Sequence, residues 1–303
     1  MELIASIIGS SISSAAPLLL AAIGLLINER AGVLNLGAEG MMLLAAVAGF
    51  AVGIETQSVT LAFLGGALAG MMAAALFGVM TIFLTTNQVA TGLALSIFGT
   101  GLSAFLGQGY VGKSIVLKRF DYFGMSELPF FGEAFFKFHP IVYGAFILVA
   151  CVSWFLFKTR SGLILRSIGE SPESAHALGY KVRTIRFYAV LFGGACCGLA
   201  GAFMSVVYTP MWVEGMISGR GWIALALTTF ATWQPMRVLV GSLLFGGVTI
   251  MQFHLQGMGI AIPSQFLAML PYAGTIVVLV LISRNPEWIR LNMPASLGKA
   301  FKP

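Results

Sequence analysis

Charge is what this sequence is short of. Only 9% of its 303 residues are Asp, Glu, Lys or Arg, where a soluble domain carries about 25%. That shortfall excludes a globule wetted on every side. Histidine is scarcer still: His139, His176 and His254 lie scattered along the chain, with no carboxylate or thiol at useful spacing. An intramembrane enzyme needs such a cluster, or a nucleophile beside its base, and the sequence offers neither. The three cysteines, Cys151, Cys196 and Cys197, sit inside apolar runs and have neither disulfide nor metal-ligand spacing. They read as small packing residues, and no metal or other cofactor is expected. The amino terminus lacks a basic region, and its apolar stretch continues to Ile27, too long for a typical cleaved signal. A retained first helix is expected there.

What the chain has instead is apolar length. Hydrophobic residues make up 58% and mean hydropathy is +0.93, so lipid is the natural solvent. Apolar runs fall at 4–27, 38–54, 58–84, 88–111, 139–157, 187–208, 219–233, 238–258 and 265–283, each near the ~20 residues of a helical span. The expected fold is all-α: a single polytopic membrane domain over 1–303, with about nine transmembrane helices (roughly eight to ten). The second run is short and follows a polar, Gly-rich stretch, the pattern of a broken helix that lines a pathway.

The net charge of +6 does not point to nucleic acid, because the charges fall between apolar runs and form no basic face with interleaved aromatics. They work as orientation signals. Nine spans with the carboxy terminus inside gather Arg30, Lys158, Arg160, Arg166, Lys181, Arg183, Arg186, Arg237, Arg284, Arg290, Lys299 and Lys302 in the cytoplasm. Lys113, Lys118, Arg119, Lys137 and Arg220 remain opposite. A cytoplasmic loop over about 158–186 and an extracytoplasmic loop over about 112–138 follow. Leu76-Phe-Gly-Val-Met-Thr-Ile82 echoes Leu244-Phe-Gly-Gly-Val-Thr-Ile250, an internal similarity compatible with a repeat. Gly107-Gln-Gly-Tyr-Val-Gly-Lys-Ser114 matches the pattern of a phosphate-binding loop. That chemistry requires a strand before the loop and a helix after it; here a membrane span precedes, so ATP binding by this chain is not expected.

The cytoplasmic loop carries a local helix signal. Ser171 is a good N-cap, Pro172 suits the first helical position, Glu173 favours the helix dipole and Gly179 stands where a left-handed residue closes a helix. A helix of about two turns is marginal in water alone and needs something to pack against. Ala175, Ala177, Leu178 and Tyr180 offer a small docking face. The loop either merely joins two spans or docks a cytoplasmic partner.

Three stretches carry a resemblance. Gly169-Glu-Ser-Pro-Glu-Ser-Ala-His-Ala-Leu-Gly-Tyr-Lys-Val182, followed by the Gly-rich run to Gly201, resembles the coupling segment of ABC importer permeases. The similar branch serves branched-chain amino acids, ribose-type sugars and nucleosides. Asn28-Glu-Arg-Ala-Gly-Val-Leu-Asn-Leu-Gly-Ala-Glu-Gly-Met-Met42 resembles the signature after the first helix of the nucleoside and simple-sugar members. Thr86-Asn-Gln-Val-Ala-Thr-Gly-Leu-Ala-Leu-Ser96 resembles their next element, with Ser96 where an Asn is common. The resemblance implies a non-catalytic membrane subunit of the bacterial cytoplasmic (inner) membrane, importing nucleosides or, alternatively, simple sugars. It implies cytoplasmic ATP-binding subunits, a second permease subunit (identical or related) and an extracytoplasmic solute-binding protein as partners. Glu170, Ser171, Pro172, Ala175, Leu178, Gly179 and Tyr180 would then couple to the ATPase.

Polar residues at membrane depth are candidates for the solute path. A carboxylate there costs about 2.5–3.5 kcal/mol on insertion scales, so Glu39 either pairs with Arg30 or a helix end, or lines the path. Asn35 is a turn residue or a solute contact, and Asn87 a helix N-cap or a solute contact. Phe98, Trp222 and Phe230 could stack on a base or simply pack. An ion-coupled secondary transporter would require a carboxylate or proton relay in mid-span, which only Glu39 approaches.

Overall fold

The computed structural model describes residues 2–115, 136–257 and 292–302, with isolated positions between 263 and 280. Most of the outer loop and of the run 265–283 lies outside the described residues, as do Lys118, Arg119, Arg284 and Arg290. Among the described residues the chain is helical, with only two isolated bridges, Val111 to Trp212 and Ser114 to Met211. In chain order the helices are α1 (Glu2–Arg30), α2 (Ala38–Thr56), α3 (Val59–Gly78), α4 (Gln88–Gly107), α5 (Pro140–Lys158), α6 (Arg160–Glu170), α7 (Pro172–Ala177), α8 (Val182–Phe203), α9 (Arg220–Phe230) and α10 (Pro235–Gly257). Single π-helical turns, Val79–Phe83 and Met204–Tyr208, prolong α3 and α8.

Seven of these helices are long and apolar enough to cross a membrane. The run 219–233 departs from the expectation. Its helix, α9, has only 11 residues, about 16 Å at 1.5 Å per residue against a hydrocarbon core of about 30 Å. From Thr209 to Gly219 the chain advances by bends and turns instead. Periodicity could not expose this, because half a helix and a whole one have the same apolar composition. The interruption expected near the second run lies ahead of α2, in residues 31–37, and α2 itself is continuous.

Small residues let the helices close up. A Cβ on Gly70 of α3 would overlap the carbonyl of Gly194 on α8, and one on Gly201 of α8 would overlap the carbonyl of Met42 on α2. In lipid, where apolar burial drives little association, such backbone approach is the main source of packing energy. The Gly-rich run of α8 therefore makes it the central helix, lying against α1, α2 and α3.

The end of α1 meets the start of α8, where the Arg186 side chain reaches Ala31, so these two helices are antiparallel. α3 lies along α8 as α10 lies along α1. The short sequence echo falls on α3 and α10. In each copy the Phe is buried (Phe77, Phe245) and the next Gly faces the partner helix: Gly78 meets Phe187 and Val190, and Gly246 meets Ser11 and Ala15. This is the arrangement of an inverted repeat, which in transporters places broken helices near the bilayer midplane.

Candidate functional site

The break before α2 is built by its own side chains. After α1, Gly32 takes φ +85 and the chain turns back into the interior. Asn35 Oδ1 accepts from the Gly37 N–H at 2.9 Å, Gln88 Oε1 accepts from the Leu34 N–H at 2.8 Å, and Ser96 Oγ donates to the Leu36 carbonyl at 2.8 Å. These bonds supply the partners that a non-helical backbone needs at membrane depth. Ser96 lies eight residues into α4, so α2 starts about 12 Å inside the α4 amino terminus.

At that depth α2 meets α9. Glu39, in the first turn of α2, is 8% exposed. Its Oε1 accepts from the Gly219 N–H at 2.8 Å and its Oε2 from the Gly221 N–H at 2.7 Å. The first N–H groups of a helix have no intrahelical acceptor, and a carboxyl from α2 fills that role here. Gly221 has no room for a side chain, since a Cβ would stand 2.5 Å from the Glu39 nitrogen. Gly219 adopts φ +81, which an L side chain resists. Of the two readings for Glu39, pairing with a helix end describes the geometry, although the end belongs to α9 and Arg30 takes no part.

The other polar and aromatic candidates divide. Asn35, beside Glu39, is fully buried and engaged in its turn. Phe98 and Trp222 are 54% and 37% exposed, and their neighbours Gly99 and Gly221 press on Gly40 and Glu39. Both aromatics therefore belong to the level where α2 meets α9. Phe230, in contrast, is buried. Asn87 stands apart at the start of α4, where its side chain caps the helix by accepting from the Ala90 N–H at 3.0 Å.

At the basic face, the helix in the 158–186 loop has the expected ends. Ser171 Oγ accepts from the Ser174 N–H at 3.3 Å, Pro172 opens α7, and Gly179 follows with φ +88, its N–H donating to the His176 carbonyl at 2.8 Å. Its faces are distributed differently from the expectation. Ala175 turns inward into a cluster with Ile168, Val182 and Phe301, and Pro172 is buried too. Leu178 is 78% exposed and Tyr180 39%; Glu170 and Gly179 are also exposed. The apolar surface facing outward is thus Ala177, Leu178 and Tyr180, without Ala175. A second helix, α6, occupies the first part of the loop. Thr159 caps it by accepting from the Gly162 N–H at 3.0 Å.

A buried polar belt escaped sequence reasoning. Glu29 accepts from Thr228 Oγ at 2.9 Å and from the Trp233 indole N–H at 2.5 Å. Arg30 donates through Nε and Nη2 to the Trp233 carbonyl, and Arg186 donates to the carbonyls of Ala31 and Lys299 and to Ser296 Oγ. The only sequence signal was that Asn28-Glu-Arg ends an apolar run, which solvated residues would also do. The phosphate-loop pattern, for its part, follows the 20-residue α4 and runs into the bridges with Trp212 and Met211. Lys113 Nζ sits over the Tyr110 ring, 4.9 Å from its centroid. A helix, not a strand, precedes the pattern.

Residues 7–282 match the family described as branched-chain amino acid transport system / permease component. A putative glucose ABC transporter permease protein of Haloferax volcanii is 39% identical, the match covering 99% of this chain and 98% of the relative. A nucleoside ABC transporter permease protein of Lactococcus lactis is 33% identical over 98% of this chain and 94% of its own. A guanosine ABC transporter permease protein of Bacillus subtilis is 29% identical, with 92% of each covered. No solved structure matches.

Proposed function

Because the chain belongs to the branched-chain amino acid transport system permease family, a family of multi-pass inner-membrane subunits, we propose that it forms the translocation pathway of an ATP-driven nucleoside importer. ATP hydrolysis belongs to separate cytoplasmic subunits, a solute-binding protein delivers cargo at the outer mouth, and a second permease subunit completes the pore. The observation that carries the importer reading is Leu178: an apolar side chain 78% exposed, held on a short helix capped at both ends and backed by its own chain. An exposed apolar residue so firmly presented is a docking feature, and the ATPase subunit is the partner it suits.

The midplane junction supplies the gate. The amino-terminal ends of α2 and of the short α9 meet at Glu39, so a small tilt of either changes the outline of the path beside them. Glu39 braces that junction, and Phe98 and Trp222 present aromatic faces at the same level on which a nucleobase could stack. A rival ion-coupled mechanism needs a carboxyl free to bind an ion, yet both Glu39 oxygens are engaged by backbone N–H groups. The nucleoside reading draws on the Lactococcus and Bacillus relatives. A sugar is the second reading, favoured by the Haloferax relative; sugar rings also stack on aromatic faces.

The test is uptake into proteoliposomes holding this chain with its ATPase subunits and binding protein. Labelled guanosine, ribose and glucose are compared with ATP inside, or with an imposed proton or sodium gradient and no ATP. ATP-dependent guanosine uptake is expected, several-fold weaker in Trp222→Ala. ATP-driven glucose uptake alone would select the sugar reading. Uptake driven by a gradient without ATPase subunits would overturn the importer.

A further inference from the structure

The tail from Asn292 to Lys302 lies folded against the basic face, where it joins elements far apart in sequence. Its Ser296 pins the last turn of α6: the backbone N–H and Oγ both donate to the Gly169 carbonyl, at 2.9 and 2.7 Å. The Arg186 guanidinium, buried to 2% exposure, grips the tail and the re-entrant loop together. Nη2 donates to Ser296 Oγ at 2.9 Å, Nη1 to the Lys299 carbonyl at 3.1 Å and Nε to the Ala31 carbonyl at 3.0 Å. Arg30 does the same for the foot of α9, reaching the Asn292 carbonyl at 3.2 Å and the Trp233 carbonyl at 2.8 Å. Finally, Phe301 is buried beneath α7 against Ala175, Ile168 and Val182, its ring 5.6 Å from that of His176.

We propose that this tail is the transmission strut of the permease, with Phe301, Arg186 and Arg30 as its positioning residues. Phe301 follows α7, and the two guanidinium groups carry its displacement to loop 31–37, which leads into Glu39, and to the carboxy-terminal end of α9, the helix whose amino-terminal end Glu39 holds. The physical reason is stiffness. Hydrogen bonds from charged donors to buried carbonyls are expensive to break, and the planar Arg fork holds its acceptors at set angles. By comparison, α7 is a six-residue helix that alone would flex against its neighbours. Gly32 shows how closely the parts are seated, since a Cβ there would stand 2.5 Å from Ser296 Oγ and 2.7 Å from Arg186 Nη2.

The inference rests on the reading of α7 as the ATPase docking helix, and its test separates the two. The assembled importer is purified with ATPase subunits, reconstituted with loaded binding protein, and assayed for ATP hydrolysed and solute moved. Phe301→Ala is expected to retain ATPase co-purification and at least half of the parental hydrolysis while moving about five-fold less solute per ATP, and Phe301→Leu to restore most of that ratio. A merely structural role would lower uptake and hydrolysis together; an unchanged solute-to-ATP ratio in Phe301→Ala would overturn the proposal. Should that variant fail to insert, Ser296→Ala tests the same link: a ratio lowered at least two-fold supports the strut, and a parental ratio refutes it. If the parental chain itself does not retain ATPase subunits, the docking reading fails first.

Discussion

Replacing Glu39 by Gln changes one atom and separates the two roles open to this residue. The carboxyl offers an acceptor to each of two backbone donors, Gly219 N–H and Gly221 N–H, at 2.8 and 2.7 Å. Gln keeps one acceptor and turns an NH2 toward the other donor. One buried N–H is then left unpaired, at a cost of about 1–3 kcal/mol. Since about 1.4 kcal/mol is a factor of ten, the local opening equilibrium of the α9 amino terminus should rise by roughly five- to hundred-fold. Hydrogen exchange read by mass spectrometry, in nanodiscs, reports this directly. A peptide covering Gly219 to Trp222 should lose at least about five-fold in protection, while peptides from α3 stay at the parental value. Transport should fall in parallel. Protection within two-fold of the parent, together with lost transport, would refute the bracing argument and assign Glu39 to the solute.

Four other expectations follow from side-chain placement. Leu178→Asp, on an exposed position, should insert and fold normally yet lose ATPase co-purification and ATP-driven uptake. Ala175→Asp should instead destabilise the loop by about 1–3 kcal/mol or more, as a buried polar group does, visible as faster limited proteolysis between α6 and α8. Gly70→Val forces a side chain into the Gly194 backbone and should cost at least about 1–3 kcal/mol by overpacking, reducing folded protein in detergent. Gly109→Ala, with open space around its Cβ, should leave that yield unchanged. Lys113→Ala should leave ATP-driven uptake within about two-fold of the parent; abolished uptake would reopen the phosphate-loop reading.

The reach of the sequence varied with the range of the physics involved. The caps of α7 were legible because Ser171, Pro172 and Gly179 act within four residues of one another, through backbone geometry that no distant contact changes. Gly193, Gly194, Cys197, Gly198 and Gly201 carry a small-residue spacing that lets helices approach closely, and that signal too is local. Which side of α7 faces outward was not legible. Ala175 and Leu178 are both apolar and three residues apart, and it is a cluster of Ile168, Val182 and Phe301, the last more than a hundred residues away, that covers Ala175. The half-length of α9 was hidden likewise: its composition is that of a full span, and the break is stabilised by a carboxyl on α2.

Composition and hydropathy alone determined that this chain is an all-α membrane protein with spans in a definite order, because continuous apolar runs of span length satisfy their backbone in lipid as helices, whereas a closed barrel alternates apolar and polar residues. Local residue grammar determined where its short basic-face helix begins and ends. The tertiary structure decided what the charged residues do. Glu39, Glu29, Arg30 and Arg186 each find their partners across long sequence separations. A buried polar group is stabilised only by whatever donor or acceptor the fold brings to it, and that pairing is a property of three dimensions.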